Sequence, residues 1–209
     1  MSCSSVILGD ERQSKYDTGT FPAADHAQQC ATSDVRRRTR LGADVGRHDL
    51  AGDLMTPSAE AFWQRYLCRL PAEHPHRHAR PDAFAFGDSP SLADELAALV
   101  EIGRKQATTS LPVEFTSEGL PLPAAGDVSI VLRADGSPVA IIELTEVRHV
   151  PFQAVDATFA AAEGEGDLTL AGWQTAHRKY FQRVSAKLGC AFDEDTPVIC
   201  QRFRLVWRG

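Results

Sequence analysis

Between Asp127 and Val147 lie two apolar runs, Asp127 to Arg133 and Pro138 to Val147, joined through Asp135-Gly136, a dipeptide that favours the tight turn of a β-hairpin. Ile130 and Leu132 alternate with Val131, so apolar side chains stand on both faces of the first strand. A strand of that kind must be covered on both sides. The requirement argues against an open sheet with one wet face and predicts an α+β fold, a small β-barrel with helices packed around it.

The helices that supply the cover carry clear punctuation. Thr56-Pro57 caps and opens a helix predicted from Pro57 to about Leu70, with Phe62, Tyr66 and Leu70 on one stripe and Trp63 and Leu67 on its shoulder. Ser89-Pro90 opens a second helix, in which Leu92, Leu96, Leu99 and Val100 form the apolar face and Gly103 supplies the stop. Two more are expected from Phe152 to Ala162 and from Leu170 to Leu188, the latter ended by Gly189. Further strands are predicted from Leu111 to Phe115 and from Pro197 to Trp207. Between the first two helices, residues 71–81 hold three prolines and His74, His76 and His78, which reads as a surface linker because no spaced fourth ligand accompanies the histidines.

Residues 1–54 show neither periodicity and hold one basic knot, Arg36-Arg37-Arg38-Thr39-Arg40, so composition predicts a disordered N-terminal extension before a domain spanning 55–209. Residues 1–80 carry 11 Lys+Arg against 10 Asp+Glu, whereas residues 81–209 carry 11 against 18, which puts the net charge of -6 in the second part. An acidic domain is a poor nonspecific binder of a phosphate backbone, and contact with RNA is expected only through a small local site. No run approaches a membrane span, no secretory signal opens the chain, and the five cysteines are odd in number without a CxxC pair. A cytoplasmic protein with reduced, structural thiols and no membrane contact is the expectation; the oligomeric state is left open.

Three stretches can carry chemistry. In Glu163-Gly164-Glu165-Gly166-Asp167, three carboxylates separated by glycines can converge on a divalent cation or simply end one helix and serve the dipole of the next. On the long helix, Trp173, His177, Tyr180, Phe181, Val184 and Leu188 share a face. His177 there is either a buried hydrogen-bonded histidine or a base, and Arg178, Lys179 and Arg183 flank it as a basic surface. In Gly103-Arg104-Lys105-Gln106-Ala107-Thr108-Thr109-Ser110, a lysine with a lowered pKa can take a proton from a hydroxyl three residues on, which pairs Lys105 with Thr108. The plainer reading has Arg104 and Lys105 neutralising the helix end while Thr108, Thr109 and Ser110 satisfy the turn.

The series FAFGDSPSLADELAALVEIGRKQATTSL, LPAAGDVSIVLRADGSPVAIIELTEVRHVPFQAVDATFAAAEGEGDLTLAGWQTAHRKYF and PVICQRFRLVW, in that order, resembles the bacterial ASCH-domain family of the PUA-like superfamily over about residues 57–207. Gly-Arg-Lys-x-Ala-Thr, Pro-x-x-Gly-Asp, Glu-Gly-Glu-Gly-Asp and Trp-x-x-x-His carry the likeness, with Gln106 standing where the family often has threonine. The resemblance implies a PUA-like barrel, a cleft beside it, and RNA or a modified nucleoside as partner. Family amidohydrolases that remove acetyl from N4-acetylcytidine would assign Thr108 as nucleophile, Lys105 as its base and Glu165, or alternatively Glu163, as the assisting acid. Family ribonucleases acting on single-stranded RNA would instead have Glu163, Glu165 and Asp167 hold a divalent metal such as manganese. In either version Arg104, Thr109, His177 and Arg178 are the substrate-binding candidates. A noncatalytic RNA-binding or regulatory module is the alternative to both.

Overall fold

The computed structural model describes residues 55–209; the expected disordered extension, 1–54, lies outside the described residues. The first helix, α1 (Pro57–Leu67), starts where the sequence places it, with Thr56 Oγ1 accepting from the Ala59 amide at 3.1 Å and proline at the first position. It ends one turn earlier than predicted. Arg77 then folds back and donates to the carbonyls of Leu67, Leu70 and Pro71, satisfying groups that the helix end leaves open. The histidine segment contains a 3-10 turn, Pro75–His78, that buries His76 against the Tyr66 hydroxyl at 2.7 Å. His76 Nε2 lies 3.4 Å from Glu143, so this part of the expected surface linker is a packed polar contact.

The remaining elements are β1 (Asp82–Ala85), α2 (Pro90–Glu101), β2 (Ala107–Ser110), α3 (Pro112–Thr116), β3 (Val128–Leu132), β4 (Pro138–Pro151), a 3-10 turn (Phe152–Ala154), α4 (Ala157–Ala162), α5 (Leu170–Lys187) and β5 (Pro197–Arg208). The strands form one mixed sheet in the order β1-β3-β4-β5-β2, with β1 parallel to β3 and all other pairs antiparallel. Register shifts at Ile141/Ile142 and Leu144/Glu146 mark where the long β4 and β5 bend, as bulges do. The sheet therefore curls into a half-barrel, with β1 and β2 at its two edges and not paired to each other.

Three elements depart from the sequence reading. The helix expected from Phe152 begins only at Ala157, where Asp156 caps it by accepting from the Phe159 amide at 2.8 Å. The strand expected at 111–115 lies earlier, at Ala107–Ser110, because Pro112 opens a short helix and Glu114 Oε2 accepts from the Leu111 amide at 2.6 Å. Strand β1 was not foreseen, since its four residues pair with β3 more than forty positions away.

Both faces of the hairpin are covered, as its apolar pattern requires. Val128, Ile130, Leu132 and Ile141 pack under Phe62, Trp63 and Tyr66 of α1. Val131, Ala140, Ile142 and Leu144 pack with Phe84, Phe86 and the Leu96, Ala97 and Val100 face of α2. A third cluster joins α4 and α5 to β2 and β5 through Phe152, Phe159, Trp173, Phe181, Val198 and Cys200. No helix among the described residues is long and apolar enough to cross a membrane. Phe62 is fully buried, with its ring centroid 4.5 Å from that of Trp207 in β5. Phe62→Ala is expected to destabilise the domain by about 3 to 5 kcal/mol, read as a lowered urea midpoint; an unchanged midpoint would show that α1 is not part of the core.

Candidate functional site

The helix α2 ends at a left-handed glycine, Gly103 (φ +74°), and the Arg104 and Lys105 amides both donate to the Leu99 carbonyl. Gln106 then fastens the segment on two sides. Its amide donates to Ala162 at the end of α4, and its carbonyl accepts from Phe203 of β5. Lys105 is held between these anchors, only 2% exposed, with Nζ 5.1 Å from the Phe86 ring centroid.

The acidic loop approaches from the other side. Gly164 has φ +74°, and a Cβ placed on it would stand 2.5 Å from the Arg104 carbonyl oxygen. Only glycine allows the two backbones to come this close. The contact sets Glu163 and Glu165 on either side of Lys105: Nζ is 3.4 Å from Glu163 Oε2 and is bonded to Glu165 Oε1. Glu163 is 1% exposed and receives further donors. Thr109 Oγ1 donates to its Oε1 at 2.5 Å and the Trp173 indole N–H at 3.0 Å, while His177 Nε2 lies 3.4 Å from Oε2. Burial alone would raise the Glu163 pKa, but the His177 and Lys105 charges reverse this and hold it well below the usual carboxylate range. His177 stacks on Trp173 and places Nδ1 3.1 Å from that residue's carbonyl. Both its ring nitrogens thus face acceptors, which suits the imidazolium form. Burial pushes its pKa down, and Glu163 more than compensates, leaving it raised.

Beside this cluster the concave side of the half-barrel encloses a cleft of about 650 Å³. Lys105, Thr108, Thr109, Ser110, Glu163, Glu165 and His177 all line it, with apolar walls from Phe84, Phe86, Leu96, Phe115 and Leu144. In β2, Thr108 pairs in register with Gln201 and Thr109 with Cys200. Strand alternation therefore divides the two hydroxyls between faces. Thr109 is committed to Glu163, whereas Thr108 is half-buried at the cleft wall and its hydroxyl has no partner among the described residues. Cys200, whose thiol pKa is pushed up to about 12 by burial and then by the Glu163 charge, is not available as a nucleophile.

A family model described as the ASCH domain matches residues 82–207. The chain belongs to the ASCH-domain family. Its structure superposes on the crystal structure of an ASCH domain from Lactobacillus crispatus with a TM-score of 0.70 at 34% identity, covering 74% of this chain and 97% of that one. A crystal structure of a protein from Enterococcus faecalis aligns with a TM-score of 0.63 at 35% identity, covering 71% of this chain and 88% of that one. A comparison with curated proteins finds no match. The fold is α+β and PUA-like, as the sequence predicts.

Within this ASCH domain the residues singled out from sequence are not all gathered. Lys105, Thr108, Thr109, Glu163, Glu165 and His177 meet at the cleft. Arg104 is exposed and off its lining, and Arg178 is drawn away by a two-bond pairing with Glu194 at 2.7 and 3.1 Å; Lys179 and Arg183 line the cleft in their place. The proposed metal set does not assemble either. Both Glu163 oxygens are taken by donors, and Asp167 Oδ1 accepts from the Thr169 amide and hydroxyl at 2.9 and 2.8 Å at the start of α5. Among the described residues no group of three His, Cys, Asp or Glu side chains is placed to hold a metal ion. Three further residues escaped the sequence reading as polar groups of the site: Trp173, read as core and here also a donor to Glu163, together with Ser110 and Gln201 on the cleft wall.

The coupling of His177 to Glu163 predicts a pH dependence of stability. A raised histidine pKa contributes stability that is complete below the ordinary value of about 6.5 and is lost as pH rises through the folded value. Glu163, being depressed, contributes fully above the ordinary carboxylate range and loses its share progressively as pH falls below that range through the folded value. The wild-type urea midpoint is expected to fall between about pH 6 and 9, and His177→Gln to flatten that fall. Parallel curves for the two proteins would count against the coupling.

Proposed function

We propose that the cleft binds RNA or a modified nucleoside and hydrolyses it, and that the amide bond of an N4-acetylcytidine-type nucleoside is the bond it is best arranged to cleave. The observation that carries this reading is Lys105, buried between Glu163 and Glu165 at a cleft whose wall presents the Thr108 hydroxyl, unpartnered among the described residues. Glu163, saturated by four donors, anchors the lysine; Glu165 is the more exposed of the pair and lines the cleft. Glu165 is thus the carboxylate that can exchange a proton with Lys105. With that proton on Glu165, the Lys105 amine accepts the Thr108 proton as Thr108 Oγ bonds to the acetyl carbon. The tetrahedral intermediate collapses, the C–N bond breaks, and the proton passes from Lys105 to the leaving nitrogen. Water, deprotonated by the same amine, then attacks the acetyl-threonine ester; the acyl C–Oγ bond breaks, the proton held by Lys105 returns to Thr108 Oγ, and acetate is released.

The engagement of Asp167 with Thr169, and of both Glu163 oxygens with donors, gives no support to the metal-assisted ribonuclease version, and the acidic character of residues 81–209 favours a small ligand over a long phosphate backbone. Thr108→Ala is the clean test, since its hydroxyl makes no hydrogen bond among the described residues, whereas removing Lys105 would strand two carboxylates. Its turnover of N4-acetylcytidine is expected to fall about a hundredfold to ten-thousandfold with an unchanged melting temperature. Undiminished turnover would remove Thr108 from the mechanism. Failure of the wild type to process either N4-acetylcytidine or single-stranded RNA, with or without manganese, would instead support a noncatalytic binding module.

A further inference from the structure

Ser110 and Gln201 stand next to Thr108 without a role in the proton chemistry. Gln201 is 4% exposed and Ser110 7%, and both line the cleft. Gln201 Nε2 donates to Ser110 Oγ at 3.0 Å across the β2–β5 pair. That single bond uses one of the two amide hydrogens and one hydroxyl lone pair. Among the described residues nothing else bonds to the pair, so the Gln201 carbonyl, its second N–H and the Ser110 O–H are buried without protein partners. Buried polar groups are almost always hydrogen-bonded, because leaving one unpaired costs about 1 to 3 kcal/mol. Two such side chains, paired with each other at a cleft wall, are arranged to be completed by something that enters the cleft.

The chemistry of the missing partner follows from what remains open. A primary amide fixed at one hydrogen offers an N–H and a C=O side by side, the complement of a ligand edge that carries an acceptor beside a donor. Register places this edge directly across from Thr108, which pairs with Gln201. We infer that Gln201, held by Ser110, reads the hydrogen-bonding edge of the ligand and so fixes the acyl group beside Thr108. The inference rests on the nucleoside reading above and narrows it. The ligand is an N-acylated aminopyrimidine, or a heterocycle of the same edge, in which the amide N–H lies next to a ring nitrogen acceptor. Gln201 is then a specificity-determining residue, and Ser110 a positioning residue that sets its amide.

The test compares N4-acetylcytidine with its 3-deaza analogue, in which the ring acceptor is replaced by C–H without a change of shape. Measured in a Thr108→Ala background, so that neither ligand is turned over, the protein with Gln201 and Ser110 intact is expected to bind N4-acetylcytidine roughly tenfold to a hundredfold more tightly than the analogue, as one or two net hydrogen bonds would give. Gln201→Met, close in size, is expected to bind both equally. Ser110→Ala, which leaves Gln201 in place but unfixed, should show an intermediate preference, and it serves as the second variant should Gln201→Met fail to fold. Equal affinity of the Gln201- and Ser110-intact protein for the two ligands, or an undiminished preference in both variants, overturns the inference and leaves the hydrolase reading standing. A separate arm uses 2-pyridone, which presents the same donor and acceptor without a sugar or acyl group. It is expected to shift the Gln201 side-chain amide resonances in the wild type. A shift with 2-pyridone but no interaction with any nucleoside would overturn the nucleoside reading and support the edge-reading role; no shift would overturn that role even if N4-acetylcytidine were hydrolysed.

Discussion

A carboxylate with almost no contact with water organises this molecule. Removing Glu163 from solvent costs several kcal/mol unless charge and hydrogen bonds replace the lost hydration. Lys105, His177, Thr109 and Trp173 provide that replacement, and each comes from a different part of the chain or a different turn of α5. The helix exit after α2, strand β2, the end of α4 and the first half of α5 are thereby tied to one side chain. The tie holds only because Gly164 lets the acidic loop lie against the Arg104 carbonyl. Geometry at the cleft is in this sense a by-product of solving a solvation problem.

The curvature of the sheet decides where that solution is displayed. Strands β4 and β5 bend at their bulges, so the sheet wraps partway around its own concave face and then stops. A fully closed barrel of this size would be filled by side chains, whereas a half-barrel leaves room at the open side. The apolar residues of β1, β4 and α2 form one wall of that space, and β2 with the Glu163 cluster forms the other. A ligand entering it meets an apolar surface on one flank and a charged, nearly dehydrated one on the other. Electrostatic interactions gain strength in such surroundings.

Much of this could be seen in the sequence, and the rest failed for identifiable reasons. Helix starts at Thr56-Pro57 and Ser89-Pro90, the Gly103 stop and the Asp135-Gly136 turn are local signals, and all appear where expected. The doubly apolar hairpin correctly demanded cover on both faces. By contrast β1 is four residues long and defined only by its distant partner, and the 111–115 strand was displaced by a proline that favours a helix start. At the site, the nearness of Lys105 to the acidic loop was legible because both belong to compact motifs. Gln201 and Ser110 are separated by 91 positions and carry no motif, so only the β2–β5 register brings them together. Arg178 looked like part of a basic surface because helical spacing cannot reveal the competing claim of Glu194.

The two adjacent threonines of β2 have a consequence for how this segment can change. Thr109 faces the buried carboxylate and Thr108 the open space, a division made by nothing more than the alternation of a strand. The five residues between Gly103 and Thr109 therefore act as a ruler, pinned at Gln106 by α4 and β5. Adding or removing a single residue there would turn Thr108 toward the buried carboxylate or Thr109 toward the open space with neither threonine altered. This connection has to keep its count.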